Sequence, residues 1–327
     1  MSAANRRAVI DIGTNSVKLL VADVTADGIT PVLETSEQTR LGKGFYDTRR
    51  LQRSTLDHTA TAVKHFAGQA RELQAASIRV IATSAARDAT NAQELLDSVH
   101  GASGLEIEII SGEQEAEWAF KGATCDPALA GKLALVLDVG GGSTEFILGK
   151  ESHQFFSRSF PIGSVRLLEQ LRPGDPPSPE ELAECLRRLT QSIRAEIKPA
   201  IDQALIGQAA TDIRLVGTGG TTSILARIEH GMTDFDRTRI EGTHLARAKI
   251  RAHLERFWSL PLAERRNIVG LPPERADVIL TGTAIYDAVM EELRLPELVV
   301  STRGMRFGAL LENSFKPAAP PAVAPAR

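Results

Sequence analysis

Two cysteines, Cys125 and Cys185, are all that 327 residues hold. Neither sits in a C-x-x-C or other ligand spacing. That excludes a disulfide framework and a cysteine-built zinc site, and makes a reducing cytoplasm the expected compartment. The seven histidines form no H-x-H or H-E-x-x-H pattern, which removes the common histidine metal centres; His58 and His65 suit a surface role. No apolar run reaches the ~18 residues of a membrane span, and Met1–Ala8 is polar rather than signal-like, so no membrane partner is expected. Excess positive charge is also missing. The net charge is −3 and the isoelectric point about 6.2, which argues against a nucleic acid polymer as partner. There is no G-x-x-x-x-G-K-[ST] and no G-x-G-x-x-G opening a helix, so P-loop and dinucleotide-binding readings fall away.

What is present is one kind of glycine loop, twice. Asp11-Ile12-Gly13-Thr14-Asn15-Ser16 follows the apolar run Ala8-Val9-Ile10. Asp138-Val139-Gly140-Gly141-Gly142-Ser143-Thr144 follows Leu133–Leu137. Each copy is a short strand, an Asp at its end, a Gly-rich turn, hydroxyl residues and a second strand. Glycine lets several N–H groups turn toward one anion, and Ser and Thr hydroxyls add donors. The aspartates do not suit a bare phosphate. Two like charges ~4 Å apart repel by ~4 kcal/mol at an effective dielectric of ~20. A cation between carboxylate and ligand resolves this, and Mg²⁺ fits, since it bridges one or two carboxylates, waters and phosphates. Asp11 and Asp138 are the candidate metal ligands on this ground, joined below by Glu145; one of them polarising a water is the other role open. A third turn, Gly217-Thr218-Gly219-Gly220-Thr221, opens a helix and suits either phosphate contact or strand-to-helix packing.

The length suits two domains, and 43% hydrophobic residues suffices for packed cores. A polyanion must meet a local basic track on so acidic a chain. Lys18, Arg40, Lys43, Arg49, Arg50, Arg53 and Arg87 are the candidates, with a solvated surface as the plain alternative for Arg49–Arg53. Periodicity predicts a helix over 54–75 with Leu56, Ala60, Val63, Phe66, Ala67, Ala70 and Leu73 on one face. Asn91 is expected to cap a helix closed by Gly101 and Gly104. Glu115 falls in the first turn of a helix after Gly112, where an acid serves chemistry or simply suits the dipole. Ser178, Pro179 and Glu181 spell a capping-box start for a helix running to about Leu205. Further helices are expected over 164–171, 276–293 and 305–315. The Ala/Pro segment 316–327 reads as a disordered tail.

The paired loops resemble the actin-like ATPase superfamily. In detail the chain resembles the exopolyphosphatase / guanosine pentaphosphate phosphohydrolase family, through VIDIGTNSVKLLVAD (9–23), IATSAARDATN (81–91), IEIISGEQEA (107–116), LDVGGGSTEFILG (137–149), VGTGGTTSILA (216–226), GLPPERADVILTG (270–282) and VSTRGMRFGALL (300–311). The resemblance implies an α/β fold of two actin-like, ribonuclease H-like domains with an interdomain cleft. Domain I is expected over 1–124, completed by 304–315, and domain II over 125–303.

It also implies that Glu115 activates the attacking water, with Asp138 and Glu145 holding metal or water. Asp11, Gly13, Thr14, Asn15, Ser16, Lys18, Arg87, Gly140, Gly141, Gly142, Ser143, Thr144, Gly219 and Arg306 are the expected substrate contacts. Two departures stand out: Phe307 where the family often has Glu after the arginine, and Gln114 before Glu115. The expected activity is release of terminal orthophosphate from inorganic polyphosphate, or from guanosine pentaphosphate, by a homodimer. Two alternatives stay open, a non-catalytic (p)ppGpp or polyphosphate sensor and an actin-like kinase or ATPase. Longer members add a C-terminal helical region, so weak processivity is a further expectation.

Overall fold

A computed structural model describes residues 5–26, 28–206 and 213–312. By its contacts the chain divides into two compact units. One runs through Ser111 and resumes from Arg306; the other is Gly112–Met305.

The first unit is built on a five-stranded sheet ordered β3-β2-β1-β4-β5, with β1 Asn5–Ile12, β2 Val17–Thr25, β3 Gly28–Glu37, β4 Ser77–Ala82 and β5 Ile107–Ile109. Ala8–Ile12 is buried without interruption, as a central strand covered on both faces must be, whereas β3 alternates like an edge. The helix Arg53–Glu72 lays Leu56, Ala60, Val63, Phe66 and Ala67 onto β1 and β2 and packs against the helix Ala92–Ser103. Asn91 departs from the expected cap. Its side-chain amide is spent on the backbone of Leu51, accepting from the N–H and donating to the carbonyl. Gly104, at φ 71°, closes that helix. The turn residue Asp27 and the tail 316–327 lie outside the described residues.

The second unit repeats the plan. Its sheet runs β10-β11-β9-β6-β7-β8, with β6 Leu133–Val139, β7 Thr144–Lys150, β8 His153–Phe160, β9 Ile213–Thr218, β10 His244–Ala246 and β11 Glu297–Val300. Set aside the short edge strand β10, which the sequence reading missed, and the order β8-β7-β6-β9-β11 matches β3-β2-β1-β4-β5. The directions match as well: in each sheet the first three strands of the chain are antiparallel neighbours, and the fourth and fifth are parallel to the first. This is the duplicated actin-like fold. The helix Ile279–Glu292, largely apolar all round, is buried from Ile279 through Met290, with Asp287 paired to Arg251. Ser178 and Glu181 form the expected capping box for Pro179–Ser192, and the helix goes on through a wider turn at Ile193–Ile197 into Lys198–Ala204.

The helix Gly112–Thr124 belongs with the second sheet, so the division falls before this helix and not after it, as 124/125 had it. Ala116, Ala119, Phe120 and Ala123 are buried, and the helix lies on β6, β7 and β8. Gly149 is the lock: a Cβ there would stand 2.4 Å from the Phe120 ring. Among the described residues no helix is long and apolar enough to cross a membrane.

Candidate active site

Sheet register assembles the centre of the second unit. Asp138 stands opposite Glu145 on β7 and Thr218 on β9, and Glu145 stands opposite Ser159 on β8. Directly opposed residues share a face, so four polar side chains form a row at the ends of the strands. Ser159 Oγ donates to Glu145 Oε1 at 2.8 Å. The helix Gly112–Thr124 adds Glu115, buried with 8% of its surface exposed.

Glu145 is the electrostatic focus. It is 1% exposed. Burial, then Glu115, then Asp138 push its carboxyl well above the ordinary carboxylate range, while hydrogen bonds from Ser159 and Ser143 pull it back. Asp138 is half-buried and sits on glycine. A Cβ on Gly219, whose φ is 93°, would come within 2.6 Å of Asp138 Oδ1, and one on Gly304 within 3.7 Å of Oδ2. Gly219 must be glycine for the carboxylate to lie where it does, whereas the tight contact at Gly304 is to Thr218 Oγ1, at 2.7 Å. Beneath the row, the buried Tyr286 hydroxyl shares its proton between the carbonyls of Leu137, at 3.1 Å, and Thr218, at 2.9 Å.

The two loops close in the same way. Gly13 N–H donates to the Ser16 carbonyl at 3.0 Å, and Gly140 N–H to the Ser143 carbonyl at 2.9 Å. In each repeat the segment after the third strand backs the loop. Arg40 N–H and Gly42 N–H donate to the carbonyls of Asn15 and Thr14. Ser164 N–H donates to Gly140, and Val165 and Arg166 N–H both donate to Gly141. Gly42 and Gly163 make room for this, since a Cβ would meet Thr14 Cγ2 at 2.3 Å and the Gly141 carbonyl oxygen at 2.4 Å.

In the first unit, Asp11 pairs across strands with Lys18, and Lys18 with Ser36. Asp11 is 5% exposed and its Oδ1 is buried without a hydrogen-bond partner. Burial raises its carboxyl, against the pull of Lys18 and Arg306. The same place in the two repeats thus carries Lys18 beside Asp11 and Glu145 beside Asp138, opposite in charge.

Other expected contacts are placed as follows. Arg306 Nη1 donates to the Leu19 carbonyl at 2.9 Å, and Nη2 lies 3.6 Å from Glu34; this supplies the partner that Phe307 cannot. Arg87 Nη1 donates to the Ile110 carbonyl at 3.0 Å. Asn15 Nδ2 donates to Gln38 Oε1 at 3.0 Å. Thr144 is fully buried, and its hydroxyl donates to the Ile162 carbonyl. Arg50 and Arg53 pair on the surface with Glu94 and Asp57, as a solvated face would.

The sequence profile of the Ppx/GppA phosphatase family matches residues 20–316. The chain belongs to this family. It is 34% identical over 322 residues to Exopolyphosphatase 2 of Mycobacterium tuberculosis, covering 94% of this chain and 98% of that one. To a guanosine-5'-triphosphate,3'-diphosphate pyrophosphatase of Aeromonas salmonicida it is 29% identical, covering 93% of this chain and 58% of that protein. The crystal structure of the Aquifex aeolicus Ppx/GppA member superposes with a TM-score of 0.75 at 31% identity, covering 93% and 96% of the two chains.

Sequence reading of this Ppx/GppA chain missed Ser159, Gly163, Ser164, Arg166 and Tyr286. Gly42 and Gly163 offered a faint signal, each lying just after a third strand. Tyr286 offered none, being one more apolar position on a buried helix.

Proposed function

We propose that this chain hydrolyses phosphoanhydride bonds, releasing orthophosphate from the end of inorganic polyphosphate and from the 5′ end of guanosine pentaphosphate. The observation that carries this is the carboxylate group of buried Glu115 and Glu145 with half-buried Asp138, beside a glycine loop whose carbonyls are tied back. Glu115 serves as general base, taking a proton from the water that attacks the terminal phosphorus. N–H groups of the Gly140–Ser143 loop meet the charge on the transferred group. Ser159 and Ser143 fix the Glu145 carboxylate. Names of relatives that read exopolyphosphatase and guanosine-5'-triphosphate,3'-diphosphate pyrophosphatase support both substrates.

A divalent cation such as Mg²⁺ fits the donors. Asp138 and Glu145 repel one another, and a cation beside them would relieve that repulsion. Among the described residues no three His, Cys, Asp or Glu side chains converge on one ion. The fit is therefore to an ion held by one or two carboxylates and completed by water and phosphate oxygens. Such an ion supplies neutralisation of phosphate charge.

Phosphate release measured with polyphosphate, guanosine pentaphosphate and ATP tests the reading. Release from the first two, with little from ATP, is expected. Turnover of ATP alone would replace it with an ATPase. Tight binding without release would replace it with a sensor.

A further inference from the structure

We propose that Arg166 is a positioning residue that aims the Gly140–Ser143 loop from behind, and is not a phosphate ligand. The inference rests on the reading of that loop as the anion-binding element. Three successive carbonyls of the loop point the same way. Gly140 accepts from Ser164 N–H at 2.9 Å and Ser164 Oγ at 3.2 Å; Gly141 accepts from Val165 N–H at 2.8 Å and Arg166 N–H at 3.0 Å. Gly142 accepts from Arg166 Nε at 2.7 Å. Carbonyl and following N–H lie antiparallel in one planar peptide unit. Holding the carbonyls of 140, 141 and 142 toward the start of the helix Ser164–Leu171 therefore turns the N–H groups of Gly141, Gly142 and Ser143 to the opposite side.

The backing is rigid. The Thr281 hydroxyl donates to the Ser164 carbonyl at 2.6 Å, anchoring the helix start on the buried helix Ile279–Glu292. Gly163 permits the close approach. The first two loop carbonyls are held by backbone groups, which any sequence supplies. The third is held by a side chain, so the aim of the Ser143 N–H depends on residue 166. An arginine beside a phosphate loop invites the opposite assignment, a cation on the substrate. The geometry points instead to the Nε–H as a hydrogen-bond donor to protein.

Side-chain length separates the two roles. Glutamine carries its Nε2 the same number of bonds from Cα as arginine carries Nε, but without charge. Lysine keeps the charge and puts a methylene at that place; methionine offers neither. Arg166→Met should lower kcat on polyphosphate by ~10- to 100-fold, the scale of a sub-ångström to 1 Å misplacement. Its KM should stay within about threefold, since ground-state binding is not what is lost. Arg166→Gln should recover kcat to within about threefold of wild type and Arg166→Lys should not. Native-state exchange of the Gly140, Val165 and Arg166 amides should quicken in the Met and Lys variants and return in the Gln variant. Recovery by Lys and not by Gln, with a raised KM in the Met variant, would overturn the proposal in favour of a charge on the substrate. A Met variant with wild-type kcat and exchange would overturn it outright. If wild type releases no phosphate, the functional reading fails, and the exchange pattern still decides the role of Arg166. Should Arg166→Met not fold, Ser164→Ala, which removes the 3.2 Å tie to Gly140, should quicken the same amides to a smaller degree; unchanged exchange there would count against the proposal.

Discussion

Glu115 and Gly219 show how much one atom decides. Glu115→Gln keeps size and loses the base, so kcat should fall by ~10²–10⁴ while KM moves only a few fold. Steady-state phosphate release checks it, and near-normal kcat would remove Glu115 from the role of base. Gly219→Ala adds a methyl group that would stand 2.6 Å from Asp138 Oδ1, at a φ of 93° that alanine adopts at a cost of about 1–3 kcal/mol. A lower Tm together with lost turnover is the expected outcome, and a variant with both unchanged would mean that Asp138 has room to move without consequence. At this scale the hydroxyls divide by partner: Thr144 is committed to Ile162, Ser159 to Glu145.

Among elements, the row Ser159–Glu145–Asp138–Thr218 spans four strands, and its electrostatics leave a mark on stability. The Glu145 carboxyl is raised above its ordinary value of 4.5, mainly by burial. The folded state therefore holds a proton that the unfolded chain releases. The stability contributed by that proton is complete below the ordinary value and is lost as pH climbs through the raised one. Glu145→Gln carries no such titration. Its Tm relative to wild type should rise as pH climbs from the ordinary value through the raised one. A constant difference in Tm across that range would show that Glu145 ionises without cost. The helix Ile279–Glu292 couples to the same row through Tyr286, which joins the ends of β6 and β9. Tyr286→Phe should cost about 1–2 kcal/mol, read from chemical denaturation, since two buried carbonyls lose their donor. A smaller loss would mean that the carbonyls find other partners.

The two units use one plan twice, with the charge of one residue reversed. Asp11 with Lys18 in one repeat and Asp138 with Glu145 in the other occupy matching cross-strand places. The first pair is close to neutral within itself; the second is a doubly acidic pair that calls for protons or a cation. Exhaustive chelation should abolish phosphate release and readded Mg²⁺ should restore it. Asp138→Asn should weaken the metal dependence more than Lys18→Ala does. Full activity in chelator would take the cation out of the proposed mechanism. Net charge of −3 leaves no general pull on a polyanion, so capture must be local.

The sequence by itself determined the duplication, the strand–loop–strand units, the capping box at Ser178 and the acidic residues at the strand ends. Each of these is local: apolar runs bounded by glycine, and side chains whose partners lie within a few residues. The candidate carboxylates were legible for the same reason, because an Asp at the end of a buried strand is costly without a purpose. Tertiary structure alone decided which repeat the helix Gly112–Thr124 joins. Its apolar face suits any sheet, and the room that Gly149 leaves for Phe120 helps it fit this one. Tertiary structure also decided that Thr144 binds protein, that Ser159 meets Glu145 and that Arg166 reaches Gly142. Those pairings cross strands or elements, where register and packing, not neighbourhood in the chain, bring the atoms together.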